Sequence, residues 1–285
     1  MEQLVLLLVI LSAFLHVYWN GLLKKSYDKH VFTWWFLLFS LIFFLLPALS
    51  LNEDINTRAL QFAFFSGVLH SIYFLFLGYA YEEGELSFVY PIARSSPAIV
   101  PLLAYFLLCE RVPIKGYFGI FLVVAGIFML NLHEFSVLGM LGGLKILKLR
   151  ATKIAILTAL TTSFYSIVDK MGVSLMEPMI YIYIMFFFSF LGVSFFVLSF
   201  RKNLILCEFM MNKRYILISG ILCMLSYLLI LYAMRETYVS YIVALRQVGV
   251  LLSLFVAVVL LRERVGKWRI IASFTIFLGL VIISI

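Results

Sequence analysis

Charge is what this sequence has least of. Asp, Glu, Lys and Arg make up 13% of its 285 residues, about half the share of an average soluble chain, while 65% are hydrophobic and mean hydropathy is +1.11. So few charged groups cannot cover a water-facing surface, which excludes a soluble domain. Cysteine is also sparse. Cys109, Cys207 and Cys223 show neither metal-ligand spacing nor a paired framework, and apolar burial accounts for them. No Gly-x-x-x-x-Gly-Lys-Ser/Thr loop is present, so nucleotide hydrolysis is not the energy source. No His-Glu-x-x-His motif or carboxylate pair is present either, which leaves an intramembrane enzyme as a remote alternative. No metal and no cofactor is expected.

What the chain does have is long apolar runs. A membrane-spanning helix needs about 20 mostly apolar residues. Ten such segments are predicted, at 3–23, 31–51, 59–81, 88–109, 114–132, 151–171, 178–200, 215–234, 240–261 and 268–285. The expected fold class is all-α and integral to a membrane. The first run lacks a basic leader and a small-residue cleavage site, so it reads as a retained helix.

The chain is also written twice. Tyr79-Ala80, Ser87, Glu110-Arg111-Val112 and Gly126 recur as Tyr232-Ala233, Ser240, Glu263-Arg264-Val265 and Gly279, and Ser66-Gly67 recurs as Ser219-Gly220. This divides the chain into a five-helix repeat at 1–135, a connecting loop at 136–150 and a second repeat at 151–285. Five is odd, so the second copy must be inverted relative to the first, an arrangement that places a substrate site at the interface near mid-membrane.

The net charge of +8 has a topological use, and nothing points to nucleic acid. Fifteen Lys and Arg follow odd-numbered helices and five lie on the other side. The positive-inside rule then places both termini outside a multi-pass cell-membrane protein. The expected partners are the lipid bilayer and a small-molecule substrate.

Ionisable groups deep in apolar segments are costly and mark function by default. In the first helix Ser12, His16, Trp19 and Asn20 form one polar stripe, with Lys24 a turn beyond. The sixth repeats the design with Thr158, Thr162, Tyr165, Ser166 and Asp169, followed by Lys170. Small hydroxyl residues also serve to pack helices in lipid, but His16, Trp19 and Asn20 are larger than packing needs. Tyr90 and Arg94 share a face of the fourth helix, which Pro91, Pro97 and Pro101 bend, and the ninth carries Arg246 and Gln247. Arg is always charged and binds carboxylate or phosphate bidentately. His16, Trp19, Asn20, Tyr90, Arg94, Tyr165, Arg246 and Gln247 are therefore the expected substrate-binding residues. The alternative for the arginines is a structural lock to Asp169, a loop glutamate or helix-end carbonyls. His16 and Asp169 are the candidates for proton coupling, with His70 on the third helix, beside Ser66 and Tyr73, a further one. The duplicated pairs Glu110-Arg111 and Glu263-Arg264 read as structural helix ends.

These motifs resemble the drug/metabolite transporter superfamily of the EamA type. His16-Val17-Tyr18-Trp19-Asn20, Gly84-Glu85-Leu86-Ser87, Tyr90-Pro91-Ile92-Ala93-Arg94, Ala244-Leu245-Arg246, Glu110-Arg111 and Glu263-Arg264-Val265-Gly266 carry the likeness. It implies ten helices as a 5 + 5 inverted repeat around a central cavity, lined largely by helices one, three, four, six, eight and nine. It also implies export of amino acids and other metabolites, or movement of nucleotide sugars, sugar phosphates or drugs. Small relatives bind cations through a glutamate in the first helix, and no acid stands there in this chain. The leading reading is a secondary transporter, an exporter, of a small polar metabolite bearing a carboxylate or phosphate. A flippase for a phosphate-bearing lipid or lipid-linked sugar is the alternative.

Overall fold

The computed structural model describes residues 3–51, 56–83, 92–130, 150–252 and 266–285. Among the described residues, ten α-helices with both ends in view follow one another: α1 (Gln3–Lys25), α2 (Lys29–Leu49), α3 (Thr57–Glu83), α4 (Val100–Leu107), α5 (Ile114–Leu130), α6 (Arg150–Val173), α7 (Pro178–Phe200), α8 (Ile205–Glu236), α9 (Val239–Leu245) and α10 (Lys267–Ser284). Seven of the described helices are long and apolar enough to cross a membrane.

Most bounds fall close to the sequence reading. Three segments depart from it. The eighth starts at Ile205 instead of 215 and kinks at Asn212. Its polar first turns are tolerated because Glu208 accepts hydrogen bonds from Asn212 Nδ2 (2.7 Å) and from Asp28 N (2.6 Å). The fourth is not one helix: a 3-10 turn at Ser96–Ala98 precedes α4, as prolines at 97 and 101 remove the backbone donors a continuous helix needs. The ninth stops at Leu245 and resumes at 248, with no proline to account for it.

The two halves are inverted repeats, and their packing obeys the exchange of α1–α5 with α6–α10. Helix α3 packs on α6 and α7, and its counterpart α8 packs on α1 and α2; α2 pairs with α7 and α5 with α10. The polar ties repeat as well. Ser40 Oγ donates to the Gly220 carbonyl (2.6 Å) and Ser189 Oγ to that of Gly67 (3.2 Å). Lys24 Nζ donates to the Tyr81 carbonyl at the end of α3 (3.0 Å), and Lys170 Nζ to that of Met234 near the end of α8 (2.5 Å). The last carbonyls of a helix have no donor within it, and these lysines supply one.

Small residues set the closest approach, as expected where lipid gives no hydrophobic drive to helix association. A Cβ on Gly279 would lie 2.6 Å from the Gly119 carbonyl oxygen and 2.9 Å from Val123 N. Both are backbone atoms that cannot step aside. Gly279→Val is expected to lower the stability of the purified protein by about 1–3 kcal/mol, read as a fall in thermal midpoint in detergent. Gly21→Ala is the control, since nothing lies within 4 Å of that Cβ position.

Candidate functional site

Helices α1, α3 and α6 converge with the two broken segments around one narrow space of about 20 Å³, lined by His16, Asn20, Arg94, Tyr165, Arg246 and Gln247 among others. That is room for about one water molecule. The six residues named are the described binding candidates that the fold brings together. Tyr90 lies outside the described residues, as do Glu263 and Arg264.

Both arginines sit at breaks. Arg94 stands just before the 3-10 turn, and Arg246 at the gap in the ninth segment. There the Gln247 amide N–H bonds to Ala244 O (3.0 Å), so it cannot serve the Val243 carbonyl as a regular helix would. The Gln247 side chain fills in, with Nε2 donating to Val243 O at 3.1 Å. A carbonyl only accepts, so this bond fixes which amide atom is nitrogen. It leaves Gln247 Oε1 buried without a hydrogen-bond partner beside the cavity.

His16 and the arginines form a chain between the halves. Arg94 Nη1 lies 2.8 Å from His16 Nε2, and Arg94 Nη2 is 3.5 Å from the Arg246 carbonyl. A guanidinium only donates, so His16 Nε2 accepts in this arrangement. The Arg246 guanidinium lies over the Tyr227 ring, 5.4 Å from its centre. Asn20 is held by Tyr81, whose hydroxyl donates to Asn20 Oδ1 at 3.0 Å. Tyr165 stacks on His70 with ring centres 3.9 Å apart.

Two candidates stand elsewhere. Trp19 does not reach the cavity wall; it is buried at 2% exposure against Phe36, 5.6 Å between ring centres, and edge-on to His16. Asp169 lies beyond the cavity. Its carboxylate accepts hydrogen bonds from Ser66 Oγ, Tyr181 Oη and Tyr227 Oη, drawn from α3, α7 and α8. Through these bonds Asp169 of α6 joins α3, α7 and α8.

Glu110 also ties helices. Cys109 turns the chain with φ of +55°, and Glu110 then accepts from Val239 N (2.8 Å) and Ser240 Oγ (2.9 Å) at the start of α9. It satisfies donors that the helix leaves open. Arg111 is exposed. The residues the sequence reading missed are Tyr81 and Leu77 of α3, which with Tyr73 line the cavity. Their i, i+4, i+8 spacing is a legible face, but tyrosine is common enough in this chain to carry little signal.

The fold and its narrow polar centre define a multi-pass membrane carrier built from two inverted five-helix copies. A family model described as the EamA-like transporter family matches residues 2–132 and again 150–285, and the chain belongs to that family. It is thus a membrane transporter of the drug/metabolite type. A solved structure titled "Crystal structure of protein" superposes with a TM-score of 0.72 at 14% identity, covering 99% of this chain and 96% of that one, a likeness of fold alone. No curated protein matches the sequence.

Proposed function

We propose that the protein is a secondary transporter, working as an exporter, for a small polar metabolite that carries a carboxylate or a phosphate, amino-acid-like or sugar-phosphate-like. The observation behind this is the cavity wall: two arginines face it, and none of its described lining residues is acidic. Arg246 is buried at 6% exposure, and a buried guanidinium is costly unless an anion shares the space. Gln247 Oε1 adds an acceptor for a hydroxyl or ammonium group on the same molecule. The excess of Lys and Arg after odd-numbered helices supports an orientation with both termini outside.

The cavity holds about one water, so a metabolite enters only after the helices part. Binding should therefore shift a population and stabilise the liganded form by mass action. The test is a thermal-shift screen of purified protein against amino acids, hydroxy acids, sugar phosphates, neutral sugars and organic cations, with hits carried into counterflow in proteoliposomes. Anionic or zwitterionic compounds are expected to raise the midpoint. Stabilisation by cations alone, or by neutral sugars alone, would end the reading.

A further inference from the structure

His30 opens α2 and Glu82 ends α3, at the face where α1 also ends. His30 is 1% exposed, flanked by Tyr79 and Phe196 with ring centres 4.5 and 5.1 Å away. Its Nε2 lies 3.2 Å from the Leu75 carbonyl, an acceptor only, so Nε2 carries the ring proton. In the neutral ring Nδ1 is then a bare lone pair. That atom is buried without a hydrogen-bond partner and faces Glu82 Oε1 at 3.5 Å. Two acceptors confront each other, and a proton on Nδ1 would turn the confrontation into a charge-assisted bond.

The surrounding charges hold this pair in place. Asp28 Oδ1 caps α2 by accepting from His30 N (3.0 Å) and Val31 N (2.9 Å). Arg201, at the end of α7, meets Asp28 Oδ2 at 3.0 Å and Glu82 Oε2 at 3.7 Å. Glu208 of α8 accepts from Asp28 N, and Lys29 Nζ is turned to the Ser26 carbonyl at 2.5 Å. Asp28, His30 and Glu82 are near enough together to hold a metal ion. The Arg201 guanidinium and the cap already use the Asp28 carboxylate, which sets a second cation at a disadvantage.

The inverted repeat supplies an internal comparison. Ser40 and Ser189 occupy matching places in α2 and α7, and the same spacing pairs Asp28 with Glu177 and His30 with Met179. At the opposite mouth Glu177 accepts from Arg235 Nη1 (2.8 Å) and Tyr232 Oη (2.5 Å). Met179 cannot take up a proton, so that mouth lacks the pair.

We propose that His30 and Glu82 form a proton-binding site that, when occupied, clamps α2 to α3 and keeps one mouth of the transporter closed. Acid on that side shuts its mouth, and loss of the proton releases it. Histidine is suited to this because its charge changes near neutral pH.

The test needs no transported substrate and uses the full chain in nanodiscs. Ring nitrogen NMR of protein labelled at histidine should show one imidazole gaining its second proton as the pH is lowered. His30→Gln should abolish that signal, and Glu82→Gln should move its midpoint to lower pH. Mouth opening is read by maleimide labelling of Ser26→Cys in a Cys109→Ser, Cys207→Ser background, since Ser26 is buried at 4% exposure. Rates are normalised to the exposed Cys207 in a separate protein. Labelling should be about tenfold slower in acid than in base, and His30→Gln should remove that ratio. If His30→Gln does not fold, the wild type and Glu82→Gln carry the test alone. A His30 ring that stays singly protonated throughout the acid titration of the folded protein would overturn the proposal. So would a midpoint indifferent to Glu82→Gln, or labelling that does not change with pH.

Discussion

If the substrate is the anionic metabolite we propose, Arg94→Gln and Arg246→Gln are each expected to weaken its binding about tenfold or more while the purified proteins stay monodisperse. A hydrogen bond to a charged group contributes about 1.5–3 kcal/mol, and one decade of affinity corresponds to about 1.4 kcal/mol. At position 94 the change also removes the Nη1 contact with His16 Nε2. At position 246 the loss includes the contact with the Tyr227 ring. Arg→Lys should restore binding only in part, because the planar fork is lost. Equilibrium binding of the compound returned by the thermal-shift screen is the measurement. Wild-type affinity in both Gln variants would make the arginines structural ties between segments and would remove the main support for an anionic substrate.

Asp169→Ala is expected to cost about 3 kcal/mol of stability. Three hydroxyls, on Ser66, Tyr181 and Tyr227, lose their acceptor at once in a fully buried place. Single interhelical hydrogen bonds in membranes contribute about 0.6 to 1.7 kcal/mol each, and buried donors without partners cost more. Asp169→Asn keeps one acceptor oxygen and should lose roughly a third as much. Thermal unfolding in detergent decides the matter. An Asp169→Ala protein as stable as the wild type, yet unable to transport, would return Asp169 to the list of proton-coupling residues.

The physics of the bilayer made much of this molecule legible. Apolar runs had to be helices because lipid offers no partner for backbone groups, and the displaced repeat of Tyr79, Glu110 and Gly126 required an inverted second half. Arg94 and Arg246 stood out because charge at depth is costly. Less could be read where helix phase or depth decides the outcome. Trp19 is about 100° around α1 from Asn20, enough to turn it from the cavity into Phe36. Asp169 shares a face with Thr162 but lies two turns on, about 10 Å along the axis, past the cavity. The break at Arg246–Gln247 has no proline to announce it. The partnership of His30 with Glu82 and Arg201 arises only when the ends of α2, α3 and α7 meet, and no spacing in the chain encodes it.

A central space that holds about one water has an electrical consequence. Protons and small ions cross a protein readily along an unbroken file of water, and a carrier that formed one would discharge the membrane it sits in. At this level the space is narrow and lined by His16, Arg94 and Arg246, and the two guanidinium groups would repel a cation arriving there. A carrier closed at this level would keep the membrane's voltage while it rests.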